Sequence, residues 1–170
     1  MRDILLLFFL NMIILGSMTM AQDTSLISFK LEDQFDRTYT EKDFENKIVI
    51  AICSDKDGSK YNSAWGEAIH DSLKNDKGFE QIKFLPVADV RGVPFFMKGF
   101  VKGKFPKKEE HWVLLDWKGQ FAKAYDLKED VSNIILFNDE GTLVYKTHVT
   151  ELDFQELNTI LSKIRNLFSS

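Results

Sequence analysis

The stretch IVIAICSDKDGSKYN, Ile48 to Asn62, decides the fold. Five apolar residues lead into Cys53, a polar loop follows, and after Ser59 the pattern turns helical. A short, continuous, β-branched apolar run suits a strand buried on both faces. Ser59 can cap the helix that follows. There Tyr61, Ala64, Trp65, Ala68, Ile69 and Leu73 recur at three- and four-residue steps and form one apolar stripe. A strand, a loop and a helix start in that order make a common setting for an active site.

Upstream, Leu26 to Leu31 (LISFKL) alternates weakly and reads as a strand. Asp33 to Asp36 is a turn, Arg37-Thr38-Tyr39 pairs back, and Glu41 to Phe44 makes one helical turn. Downstream, Gln81 to Val90 is a second core strand, weakened by Pro86, which donates no ladder hydrogen bond. Pro94 opens a short helix. Trp112 to Leu115 reads as a third buried strand, Phe121 to Tyr125 as a short helix, and Asn133 to Phe137 as a fourth strand. Asn138 to Gly141 is a hairpin turn, and Thr142 to Tyr145 returns. Thr150 and Asp153 have the spacing of a capping box. The last helix carries Leu157, Ile160, Leu161, Ile164, Leu167 and Phe168 on one face. Alternating strands and helices make the early strands parallel, and the hairpin adds an antiparallel edge.

The N-terminus has the order of a secretory signal peptide: Arg2, an apolar run from Ile4 to Leu15, then Thr19-Met20-Ala21 before Gln22. The apolar run is shorter than the roughly 20 residues that span a bilayer. Residues 1–21 are therefore expected to be a signal peptide and 22–170 one domain; an uncleaved membrane anchor is the alternative. The formal charge is −4 and there is one cysteine, so no internal disulfide can form.

Three stretches carry a resemblance. FKLEDQFDRTYTEKDFENKIVIAI (Phe29–Ile52), WVLLDWKGQFAKAYDLKEDVSNIILFNDEGTLVYK (Trp112–Lys146) and the final helix together resemble the thioredoxin superfamily on its redoxin side, the peroxiredoxin-type and exported thiol–disulfide oxidoreductase-like proteins. The resemblance covers about residues 27–168, nearly the whole of the expected mature chain. It implies an α/β domain: a central mixed sheet flanked by helices, with a C-terminal hairpin and helix. It also places a Cys-x-x-Cys pair at about Gly58 and Tyr61, where neither residue is a thiol, and a cis-proline at Ser132. The loop residues Asp55, Asp57, Gly58, Ser59 and Tyr61 then read as a vestigial active site.

Cys53 sits at the end of an apolar strand, where burial raises a thiol's pKa and makes it inert. The alternative is a reactive single thiol. Asp55 to Ser59 fails as a calcium loop, because its sixth and twelfth positions are Lys60 and Gly66. His70, His111 and His148 lack metal-site spacing, and a Ser59–His70 dyad would span three helical turns. Trp65, Trp112 and Trp117 read as core. No motif supports haem, flavin or another cofactor.

RGVPFFMKGFVKGKFPKK, Arg91 to Lys108, has six basic residues and no acidic one, against 16 basic and 26 acidic residues elsewhere. Arg91, Lys98, Lys102, Lys104, Lys107 and Lys108 are thus a candidate face for an anionic partner or membrane surface. The competing reading is a helix with core-facing aromatics and snorkelling lysines. The combined expectation is an exported, periplasmic thioredoxin-like protein that binds another envelope protein without catalysis. Secretion or an N-terminal anchor are alternative destinations. A thiol-dependent oxidoreductase or peroxidase acting through Cys53 is the alternative function.

Overall fold

The computed structural model describes residues 24–168, so the signal-peptide reading of residues 1–21 lies outside the described residues. In chain order, strands β1 (Lys30–Asp33) and β2 (Thr38–Thr40) form a hairpin, and β3 (Ile48–Ser54) follows a single 3-10 turn. Helix α1 (Asn62–Leu73) leads to β4 (Ile82–Asp89). A long segment containing α2 (Lys98–Lys102) connects to β5 (Leu114–Asp116) and α3 (Gln120–Tyr125). Strands β6 (Ser132–Phe137) and β7 (Leu143–Val149) and helix α4 (Phe154–Leu167) complete the chain. The seven strands form one mixed sheet in the order β2-β1-β5-β4-β3-β6-β7. Strands β3, β4 and β5 run parallel; β6 pairs antiparallel with β3, and β7 antiparallel with β6.

All seven residues of β3 are buried, which accounts for its unbroken apolar run. Its side chains alternate between two layers. Ile48, Ile50 and Ile52 face α1 and α4, packing on Trp65, Ile69, Leu73 and Ile160. Val49, Ala51 and Cys53 face α3, packing with Phe121, Tyr125 and Phe137. Each large aliphatic side chain so buried contributes about 1.5–3 kcal/mol. Trp65 is fully buried and donates its indole N–H to the Thr150 carbonyl at 2.8 Å, joining α1 to the entry of α4.

Several expected features shift. The first strand is Lys30–Asp33 rather than Leu26 to Leu31; it ends on a buried acid, Asp33, which pairs with Arg37 at 2.7 Å. Pro86 is accommodated because β5 pairs only with Val87–Asp89, leaving the first part of β4 as a free edge. Asp153 is itself the N-cap of α4 and accepts from Gln155 N–H at 2.9 Å, so the Thr150–Asp153 capping box does not form. Ala64 points to solvent and drops out of the α1 stripe. Trp112 and Trp117 are only half-buried; Trp112 stacks on Tyr39 with ring centroids 4.7 Å apart.

Candidate functional site

In a sheet of parallel strands, ligands bind beyond the carboxyl ends of the strands. Here that region joins the loop after β3, the end of β4, and the loop between α3 and β6. Ser54 and Asp55 leave β3, and Gly58 begins a 3-10 turn (Gly58–Tyr61) that runs into α1. Asp55 ties the two loops together. Its Oδ1 accepts from Gly58 N–H at 2.8 Å and its Oδ2 from Asp130 N–H at 3.0 Å. Asn133 organises the facing loop: it donates to the Cys53 and Lys128 carbonyls at 3.2 and 2.9 Å and accepts from Lys128 N–H at 2.9 Å.

The contact between the loops is closed. A Cβ built on Gly58 would lie 2.1 Å from the Val131 carbonyl oxygen, and 2.6 and 2.8 Å from the Val131 C and N. Glycine is thus the one residue that fits, not for its backbone angles but for the backbone pressed against it. Ser132 follows Val131 and is fully buried, and its Oγ has no hydrogen-bond partner among the described residues. All peptide bonds of the described residues are trans. Tyr61 is half-buried and packs on the α1–α4 core layer, with Lys60 Nζ 4.9 Å above its ring. Between Ser54, Asp55, Asp89, Arg91, Leu127 and Asn133 a crevice of about 10 Å³ remains, room for one water.

Cys53 is 0% exposed. It lies on the α3 side of the sheet, away from α1 and its N-terminal loop. Burial holds its pKa far above the ordinary thiol range, and the nearby Asp116 and Asp89 carboxylates push the same way. In this setting the sulfur stays protonated and is a poor nucleophile.

The other sequence candidates do not converge on the loop. Asp57 is exposed. Ser59 Oγ donates to the Lys56 carbonyl at 2.6 Å, whereas His70 lies beside Asp71 and against Phe79. His111 and His148 are exposed on separate elements. Among the described residues no three His, Cys, Asp or Glu side chains are placed to hold a metal ion.

The basic stretch divides in two. Arg91 is bound to Asp89 through its Nε at 2.8 Å, and Lys102 is held by Asp36 and by Glu32, the latter at 3.7 Å. These two cations are occupied within the chain. Among the described residues Lys98, Lys104 and Lys107 have no such carboxylate partner: Lys98 sits over the rings of Phe95 and Trp117 at 5.2 and 4.9 Å and Lys104 over Phe100 at 4.7 Å, while Lys108 lies 4.0 Å from Glu110. The core-facing reading of the aromatics is overturned, because Phe95, Phe96 and Phe100 are 83%, 85% and 61% exposed. Residues the sequence did not single out hold the segment in place. Gln34 donates to the carbonyls of Pro106 and His111 and accepts from Val113 N–H.

No family model and no curated protein sequence matches the chain. Solved structures do. An exposed lipoprotein thioredoxin from Streptococcus pneumoniae superposes with a TM-score of 0.58 at 20% identity, over 82% of this chain and 99% of that one. The fold is thioredoxin-like. A protein from Chlorobium tepidum assigned as a thiol:disulfide interchange protein superposes at 0.57, with 15% identity over 87% of this chain and 99% of that one. A thiol peroxidase from Chromobacterium violaceum superposes at 0.53, with 14% identity over 86% and 87%. These neighbours are redox-related, and the present thioredoxin-like chain carries one cysteine. Among its described residues no helix is long and apolar enough to cross a membrane.

Proposed function

We propose that this is an exported thioredoxin-like binding protein that does no thiol chemistry and engages another protein of the cell envelope, its active-site loop cluster being retained but closed. The observation that carries the reading is the packing of Gly58 on Val131. The attacking cysteine of a redox-active thioredoxin-like protein would stand at this position, and here there is no space for a side chain. Disulfide exchange also needs a thiolate and a second thiol to resolve the mixed disulfide. The sole cysteine lies on the wrong face of the sheet, with its ionisation suppressed. Export to the periplasm is supported by the composition of residues 1–21, and a neighbour of the same fold is an exposed lipoprotein.

The test uses protein recovered from the envelope fraction. Its N-terminus, read by mass spectrometry, is expected near Gln22. The same sample is expected to reduce insulin disulfides and hydrogen peroxide no faster than buffer. Peroxide or disulfide turnover that disappears in Cys53→Ala would replace this reading with a single-thiol enzyme.

A further inference from the structure

The segment between β4 and β5, residues 90–113, is anchored at one side and bare at the other. Its base is clamped to the β1–β2 hairpin: Gln34 holds the carbonyls of Pro106 and His111, Arg37 reaches Glu109, and Lys102 is bound by Asp36. Its tip, the 3-10 turn Phe95–Met97 and the start of α2, displays Phe95, Phe96 and Phe100 to solvent. A rigid base therefore presents three phenylalanines outward, and they are not left over from an unfolded loop. Adjacent aromatics more than 80% exposed form a projection rather than a groove, so what covers them must yield around them.

Composition separates the two kinds of cover. Cores of protein interfaces are enriched in aromatic residues, Met and Arg but depleted in lysine. Segments that lie in a membrane interface combine Phe, Trp or Leu with a fringe of Lys or Arg. The cations beside the tip rings, Lys98 and Lys104, and those further along the segment, Lys107 and Lys108, are all lysines, and it is this lysine content that favours a membrane interface. Lys98 and Lys104 hold their ammonium groups over the Phe95 and Phe100 rings, so positive charge and exposed aromatic surface are presented together. The charge is local as well. The basic stretch contains no acidic residue, and the rest of the chain has 26 acidic against 16 basic side chains. The segment is thus the part of the sequence suited to an anionic surface.

We infer that the tip formed by Phe95, Phe96 and Phe100, with Lys98 and Lys104 beside its rings and Lys107 and Lys108 further along the same segment, inserts into the interface of an anionic phospholipid bilayer and holds the domain on the membrane surface. Each lysine near such a surface strengthens binding about fivefold, and each inserted phenylalanine about tenfold or more.

Sedimentation with vesicles tests the inference. Exported protein is compared with Phe95→Ser/Phe96→Ser/Phe100→Ser and with Lys98→Gln/Lys104→Gln/Lys107→Gln/Lys108→Gln, so that any contribution of the N-terminus is common to all three. Vesicles are phosphatidylcholine alone or phosphatidylcholine mixed with phosphatidylglycerol. The wild type is expected to bind only the mixed vesicles and to be released by added salt. Either variant should lose about a hundredfold or more in affinity with unchanged circular dichroism, since the replaced aromatic and most of the lysine side chains lie at the surface. Equal binding to both vesicle types, or variants that bind like the wild type, overturns the inference. It is also overturned if the wild type ignores both vesicle types while the same variants lose an envelope protein partner, which would assign the tip to that protein.

Discussion

Replacing Gly58 by alanine asks directly whether the loop is closed. The new methyl carbon would start 2.1 Å from the Val131 carbonyl oxygen, about 0.9 Å inside the 3.0 Å limit that such carbons respect. Val131 is poorly placed to retreat. The preceding residue, Asp130, is held by Asp55, and the following segment is fixed by Asn133. Overpacking of this kind costs about 1–3 kcal/mol. Retreat of Val131 would also loosen the Asp55–Asp130 hydrogen bond, worth about 1 kcal/mol at its exposed position. Against this stands a gain of about 1 kcal/mol, since alanine is favoured over glycine in helical backbone. The net expectation is a loss of about 2 kcal/mol. With a urea slope of about 1–3 kcal/mol/M, the unfolding midpoint should fall by about 1 M, and the melting temperature by about 4–8 °C. Gly99→Ala in α2 is the control, because a Cβ there meets nothing within 4 Å. It should be neutral or slightly stabilising. A Gly58→Ala protein as stable as the wild type would refute the closed-loop reasoning and reopen that position to a thiol.

Cys53 should react with a thiol reagent only on the timescale of unfolding, measured by labelling in native buffer and in urea. Its folded pKa is raised, so its contribution to stability is complete below the unfolded thiol pKa and is lost as pH rises above it. From about pH 9 upward the wild type should therefore lose up to about 1.4 kcal/mol more per pH unit than Cys53→Ala. Parallel denaturation curves for the two proteins in that range would contradict the buried thiol. Cys53→Ala itself should cost about 1–2 kcal/mol near neutral pH. Asp55→Ala removes acceptors for both Gly58 and Asp130, and should cost about 1–3 kcal/mol with faster amide hydrogen exchange at those two residues. Unchanged exchange would mean that other groups hold the two loops together.

What could be read from the sequence follows a physical rule. Ile48 to Cys53 is legible because a strand buried on both faces needs an unbroken apolar run, and the stripes of α1 and α4 because one face of each is dry. The end of β1 was obscured by Asp33, an acid that looks like a turn residue until Arg37 is seen to pair with it. The exposed phenylalanines were ambiguous because local composition cannot tell a core-facing ring from a displayed one. The residues that decide it, Gln34 and Asp36, belong to a distant hairpin. The closure of the loop was invisible for the same reason. Asp55 and Asp130 are 75 residues apart, and Gly58 is constrained by backbone that no local pattern connects to it. Asn133 left a faint signal, a polar residue near the start of an otherwise apolar strand.

The strand order also bears on how the chain acquires its structure in time. Of the sheet's six pairings, only β1–β2 and β6–β7 join neighbours through a tight turn. The central pairing of β3 with β6 brings together Cys53 and Asn133, 80 residues apart. Non-local pairings of this kind must overcome loop-closure entropy before they return any stabilisation, so such sheets form slowly. Until β6 arrives, IVIAICS presents one open row of backbone donors and acceptors, with no charge and no proline to guard it. That is the signature of a segment prone to intermolecular pairing. The run that makes the folded centre dry is the chain's chief liability while it folds, and Ser132–Phe137 is the strand that removes it.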